Sequence, residues 1–159
     1  DGLGLVLNIA AIILAFVALI ALVNGLIGWI GGWFGFSDLS LQTILGYIFA
    51  PVAVIIGVPW GESVIAGSLI GQKIILNEFV AFTSMSPLLP ELSAKTTAIV
   101  TFALCGFANI SSIAILIGGI GGMAPNRKHD IARLGWKSVL GGTLANLLSA
   151  TIAGLLLTI

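Results

Sequence analysis

Between Asp1 and Asp38 the chain carries no charged residue. A stretch of that length without charge is constrained by its own backbone: in lipid every N–H and C=O must be paired inside the segment, and a helix does so. Its helix-compatible part, 2–33, would run about 48 Å at about 1.5 Å per residue, longer than a hydrocarbon core of about 30 Å. A long helix over 1–36, strongly tilted or extending past the interface, is therefore predicted. Trp29, Trp33, Phe34 and Phe36 cluster at its end, where amphipathic rings favour the headgroup layer. The whole composition agrees. The chain is 58% hydrophobic and 8% charged with a mean hydropathy of +1.20, whereas soluble domains carry about 25% charged residues. Six basic and six acidic side chains cancel, so no nucleic-acid partner and no acidic tail is implied. The lone Cys105 excludes an internal disulfide and reads as a small packing residue. No Cys/His cluster offers a zinc-type site, and no cofactor is expected. The chain opens on Asp1, without a basic n-region, and reads as a break inside a longer protein rather than a signal peptide.

The remaining segments are uneven. The stretch 39–58 contains Pro51, and Ser40, Gln42, Thr43 and Tyr47 make its first half amphipathic; an interfacial or broken helix is predicted. Over 60–90, two apolar arms, 64–76 and 79–89, flank Asn77 and Glu78. Each arm is too short to cross at about 20 residues per span, so a re-entrant helical hairpin is predicted. The segment 96–124 is long enough to span, but CGFANISS (105–112) places Gly106, Asn109, Ser111 and Ser112 in its middle, the pattern of a helix unwound at its centre. Glycines and Pro125 end it. The loop NRKHDIARLGWK (126–137) holds four basic residues against Asp130 and is predicted to face the cytoplasm. A last span is predicted over 130–159. Along it Gly142, Asn146, Ala150 and Gly154 recur every four residues, as do Gly141, Ala145, Ser149 and Ala153; small residues so spaced permit close helix packing. With the basic loop inside, the hairpin dips in from the outer face and Trp29 and Trp33 mark that face.

Glu78 is the foremost candidate for function, because an acid away from the interface costs about 2.5–3.5 kcal/mol by insertion scales and calls for compensation. The alternative is a shallower hairpin with Glu78 solvated or paired with Lys73. Asn77 is either a ligand contact or a helix cap. Asn109 and Ser112, three apart, would share a helical face, and Phe107 would add an aromatic wall; they either contact a ligand or bond within the fold. Lys73 is read as neutralising an acid or snorkelling, and His129 as a solvated surface residue. No catalytic constellation is present in the membrane segments, so no enzyme is expected. Two discontinuous elements converging on a polar midplane site suggest a transporter. The competing reading is a structural or assembly membrane subunit.

GQKIILNEFVAF (71–82) closely resembles the G-x-K-x3-N-E-F-V-A motif of the concentrative nucleoside transporters, and CGFANISSIAILIGGIGGMAPNRKHDIARLG (105–135) resembles the run that follows it. The resemblance covers essentially the whole chain and implies the C-terminal half of such a transporter, one half of an inverted repeat in an all-α integral membrane fold. It implies import of nucleosides coupled to sodium or protons, by an elevator-like motion, across a bacterial inner or other plasma membrane, in a multi-pass homotrimer. By the same resemblance Glu78, Asn109 and Ser112 would bond the ribose, with Asn77 beside them, and Phe107 would pack on the base. The coupling cation would be held by the N-terminal half of the same transporter, and the trimer contacts would fall within 2–58.

Overall fold

A computed structural model of the chain describes residues 2–36, 39–113 and 125–157. They are helical, with no strand among the described residues. Two compact units divide the chain, Asp1–Ile44 and Leu45–Ile159.

The first unit is built on α1, Gly2–Trp33, whose 32 residues span about 48 Å. Gly35, at φ 81°, ends it: the Phe36 N–H reaches the Gly31 carbonyl at 2.9 Å, and the Gly35 N–H reaches Gly32 at 3.3 Å. This glycine-closed end satisfies carbonyls that a helix terminus leaves unpaired. Trp29 and Trp33, one turn apart, meet edge to face at 4.7 Å and are both exposed. Asn24 is a polar joint in the apolar helix. Its Nδ2 donates to Gln42 Oε1 at 2.9 Å, and its Oδ1 accepts from the Leu41 N–H at 2.8 Å, pairing a donor that the start of the next helix leaves free.

That helix is α2, Leu41–Ile55, and it runs unbroken through Pro51. Gly57, at φ 102°, closes it as Gly35 closes α1. In the second unit α2 crosses α3, Ser63–Ile75, backbone to backbone: a Cβ on Gly67 would lie 2.6 Å from the Gly46 carbonyl and the Ala50 nitrogen. Only hydrogen fits there. The chain turns at Leu76 and Asn77 into α4, Glu78–Met85, which packs back on α3. Ser86–Glu91 tightens into a 3-10 turn with Pro87 and Pro90. Between the arms, Gln72 is 1% exposed; its Nε2 donates to Ser68 Oγ at 3.1 Å and its Oε1 accepts from Ser84 Oγ at 2.8 Å. A buried amide is thereby satisfied, which buried polar groups require.

Helix α5, Ala94–Leu104, starts on the Ser93 cap, whose hydroxyl accepts from the Thr96 N–H. Ser93 also ties α5 to the mouth of the hairpin, donating through its N–H and hydroxyl to Glu62 Oε2 at 3.1 and 3.0 Å. The Thr96 hydroxyl first, and then these Ser93 groups, hold the Glu62 carboxyl below its ordinary value against the opposing effect of burial. After α5 the backbone unwinds over 105–109 and is helical again from 110. The last helix, α6, is Lys128–Leu156. It takes in most of the basic stretch read as a loop: charge pattern tells the side of a membrane but not the backbone, and Arg127 and Asp130 bond across the first turn at 2.6 Å. His129–Leu156 is long and apolar enough to cross a bilayer.

The core of the second unit gathers Ala66, Leu69 and Ile70 of α3, Ala81 and Met85 of α4, and Ile99, Val100 and Leu104 of α5 around Ala150 of α6. At about 25 cal/mol per Å² of apolar area, such burial is what holds arms this short in place. The stripe Gly142, Asn146, Ala150, Gly154 faces α5 and the unwound segment: Cβ atoms on Gly142 and Gly154 would meet Ala108 and Ile99 at 3.0 and 2.7 Å. The second stripe points away, with Gly141, Ala145 and Ser149 exposed. The part of the predicted broken span at 114–124 lies outside the described residues.

Candidate functional site

Two helix starts are brought together. Asn77 precedes α4 in an extended conformation, and its Oδ1 accepts from the Val80 N–H at 2.9 Å. Asn109 does the same for the helix that begins at 110, accepting from the Ser112 N–H at 2.9 Å. In both, the side-chain oxygen pairs an amide that a helix start leaves open. With its oxygen so engaged, the amide nitrogen of Asn109 points the other way and donates to Glu78 Oε2 at 2.9 Å. Residues 31 apart in sequence thus join the hairpin tip to the centre of the break.

The serines complete the joint. Ser111 Oγ lies 2.6 Å from Asn109 Oδ1 and 3.4 Å from the Leu76 carbonyl at the end of α3. Ser112 Oγ lies 2.7 Å from the Phe107 carbonyl and 2.9 Å from Asn109 Oδ1. Each hydroxyl donates one proton and keeps lone pairs for a donor from outside. Asn109 is fully buried, Ser112 is 4% exposed, and Glu78 is half-buried. Phe107 is 60% exposed, its ring standing off the break as an uncovered apolar face.

Lys73 does not snorkel. It is 1% exposed, in the last turn of α3, where a cation is favoured by the helix dipole. Among the described residues the contact-distance ion pair is Arg127–Asp130; Glu78 bonds Asn109 instead. Cys105, read as a packing residue, is exposed at the break: its backbone is still helical, and it lies on the outward side of α5 with Phe102, opposite the buried Ala103 and Leu104. His129 is exposed. Among the described residues no group of three or more His, Cys, Asp or Glu is present.

Sequence reasoning passed over two contributors. Ser111 links the break to the hairpin, and α6 reaches the break through Asn146, whose carboxamide lies where a Cβ on Gly106 would be. The signal for Asn146 was available: an amide in an apolar span is a functional candidate by default. A cleft of about 230 Å³ opens here, lined by Phe107, Ser112, Gly142 and Asn146 among others.

Residues 1–154 match the family described as Na+ dependent nucleoside transporter C-terminus. The chain is 60% identical over 154 residues to the uncharacterized transporter YutK of Bacillus subtilis (strain 168), covering 97% of this chain and 38% of that protein. It is 53% identical over 159 residues to the nucleoside permease NupC of Helicobacter pylori, covering 97% of this chain and 38% of the permease. Among solved structures, CNTnw in an inward-facing substrate-bound state superposes with a TM-score of 0.92 at 58% identity, covering 96% of this chain and 38% of that one. The chain spans under two-fifths of the length of these relatives.

Proposed function

The chain belongs to the Na+ dependent nucleoside transporter family, and on that premise we propose that it supplies the ribose-binding side of a nucleoside importer. The observation that carries this reading is the Asn109–Glu78 hydrogen bond. It makes an acceptor-rich carboxylate and an amide into one half-buried group at the meeting of two discontinuous elements, the arrangement in which transporter sites are built. The vicinal hydroxyls of a ribose are donors that match the remaining carboxylate lone pairs, and the Ser112 hydroxyl accepts or donates alongside. A ligand without those hydroxyls would leave buried polar groups unpaired, at about 1–3 kcal/mol each. Phe107 offers its exposed ring to a nucleobase. Asn77 stands beside Glu78 as the cap that fixes where α4 begins.

In this reading α3 and α4 form a hairpin that enters from the outer face without crossing. The hairpin and the break move together, elevator-like, past a scaffold to which α1 belongs, and the 2–58 region mediates a homotrimer. The rest of the site, including the groups for the coupling cation, sodium or proton, comes from the N-terminal half. Uridine uptake by the full-length transporter tests the assignment. Glu78→Ala is expected to abolish uptake with surface expression and assembly intact, and normal uptake by that variant would overturn it.

A further inference from the structure

Helix α6 presents Asn146 to the break, and that side chain is placed oddly. Asn146 presses against Gly106 so closely that a single methyl group there would overlap its carboxamide. Its Nδ2 is buried, and among the described residues it has no hydrogen-bond partner. Orphaned buried donors are rare in native folds and cost about 1–3 kcal/mol. An apolar residue of the same size would pack there without that cost. The same carboxamide borders the cleft of about 230 Å³ that Phe107 and Ser112 also line, so it sits behind two of the residues assigned to the substrate. The contact falls where the backbone leaves the helix, at the first glycine of the unwound segment, and whatever fixes Gly106 fixes the direction in which Phe107 departs.

We propose that Asn146 is a positioning residue of the nucleoside site: it holds the Gly106 turn in the conformation that aims Phe107 and Ser112, and keeps a donor in reserve for an acceptor that enters the cleft with the substrate. The acceptor is an oxygen of the ligand or of a water the ligand orders. A cleft of this volume and an unpaired N–H suit either source. This inference rests on the nucleoside reading of the site.

The proposal separates affinity from stability, with opposite signs. Asn146→Leu keeps the volume and removes the orphaned donor. In the purified full-length transporter it is expected to leave the thermal midpoint of the substrate-free protein unchanged or raised, while weakening uridine binding roughly tenfold, the worth of about one hydrogen bond. Uridine affinity is read from concentration-dependent protection against unfolding. A partner variant tests the contact itself: Gly106→Ala is expected to lose uridine binding in the wild-type background and to lose less when combined with Asn146→Ala, which frees the space. Ligand and water are told apart by deoxy and base-modified uridines. If one loses the tenfold dependence on Asn146, the acceptor is the atom it lacks; if all keep it, the acceptor is water. Unchanged uridine affinity in Asn146→Leu overturns the proposal, as does a fall in thermal midpoint of the empty protein. Absence of any uridine protection in the wild type would instead overturn the nucleoside reading on which it stands.

Discussion

Asn109 does two jobs with the two ends of one amide. Its oxygen caps the helix that begins at 110 and its nitrogen reaches Glu78. Asn109→Asp keeps the capping oxygen and places a second carboxylate against Glu78. The variant should keep the helix start but lose at least about 1–3 kcal/mol in thermal unfolding, and bind uridine at least tenfold more weakly, since it exchanges a charge-assisted hydrogen bond for repulsion at a fully buried position. Asn109→Ala should lose both properties. Wild-type affinity in the aspartate variant would remove the Glu78 bond from the site. Glu62 carries a separate prediction. Its carboxyl is held low in the fold by Thr96 and Ser93, so its contribution is complete above the unfolded carboxylate value of about 4.3 and is lost as pH falls through the lower folded value. Glu62→Gln should therefore flatten the acid limb of a thermal-midpoint profile below about pH 5 and leave the neutral limb nearly parallel. Polar residues in so apolar a chain announce themselves, which is why Glu78, Asn109 and Ser112 stand out in the sequence as candidates, and the structure brings these three together. Their hydrogen bonds were not legible there, because periodicity relates neighbours within a helix and is silent about which two breaks will face each other. The burial of Lys73 was hidden for the same reason.

At the level of elements, the crossing of α2 and α3 depends on having no side chain at Gly46 and Gly67. Gly67→Ala should destabilise the protein by roughly 1–3 kcal/mol, the usual cost of forcing volume into a packed contact. By contrast Gly141→Ala, where nothing lies within 4 Å, should be neutral or stabilising by up to about 1 kcal/mol through helix propensity. Thermal unfolding of the two variants side by side checks the contrast. The element pattern itself was largely readable: charge-free lengths and the polar interruptions at 77–78 and 105–112 mark where helices start and stop. Pro51 did not stop α2, because the missing N–H and the ring cost one hydrogen bond in a helix otherwise held by packing on α3. The basic run 128–137 joined α6, because lysine and arginine are good helix formers whatever side of a membrane they mark.

Taken whole, the molecule leaves much apolar surface uncovered. Leu144, Leu148 and Leu155 of α6 are 61–66% exposed, and relatives are more than twice as long as this chain. A bilayer and the rest of the transporter are the natural covers for such a surface. The chain expressed alone and placed in liposomes should show no saturable uridine uptake and no protection by uridine against unfolding, because it holds one wall of the proposed site. Uptake by the isolated chain would refute the two-half reading.

The paired caps carry one more consequence. Because one Asn109 carboxamide serves the Ser112 amide with its oxygen and Glu78 with its nitrogen, opening of the first turn after the break and loss of the bond to the carboxylate are coupled. Opening that turn exposes the Ser112 amide to exchange with solvent deuterium, and a ligand that binds only the closed form must slow the exchange by the factor with which it is bound. One backbone proton, far from the hairpin in sequence, would then report on the occupancy of the site.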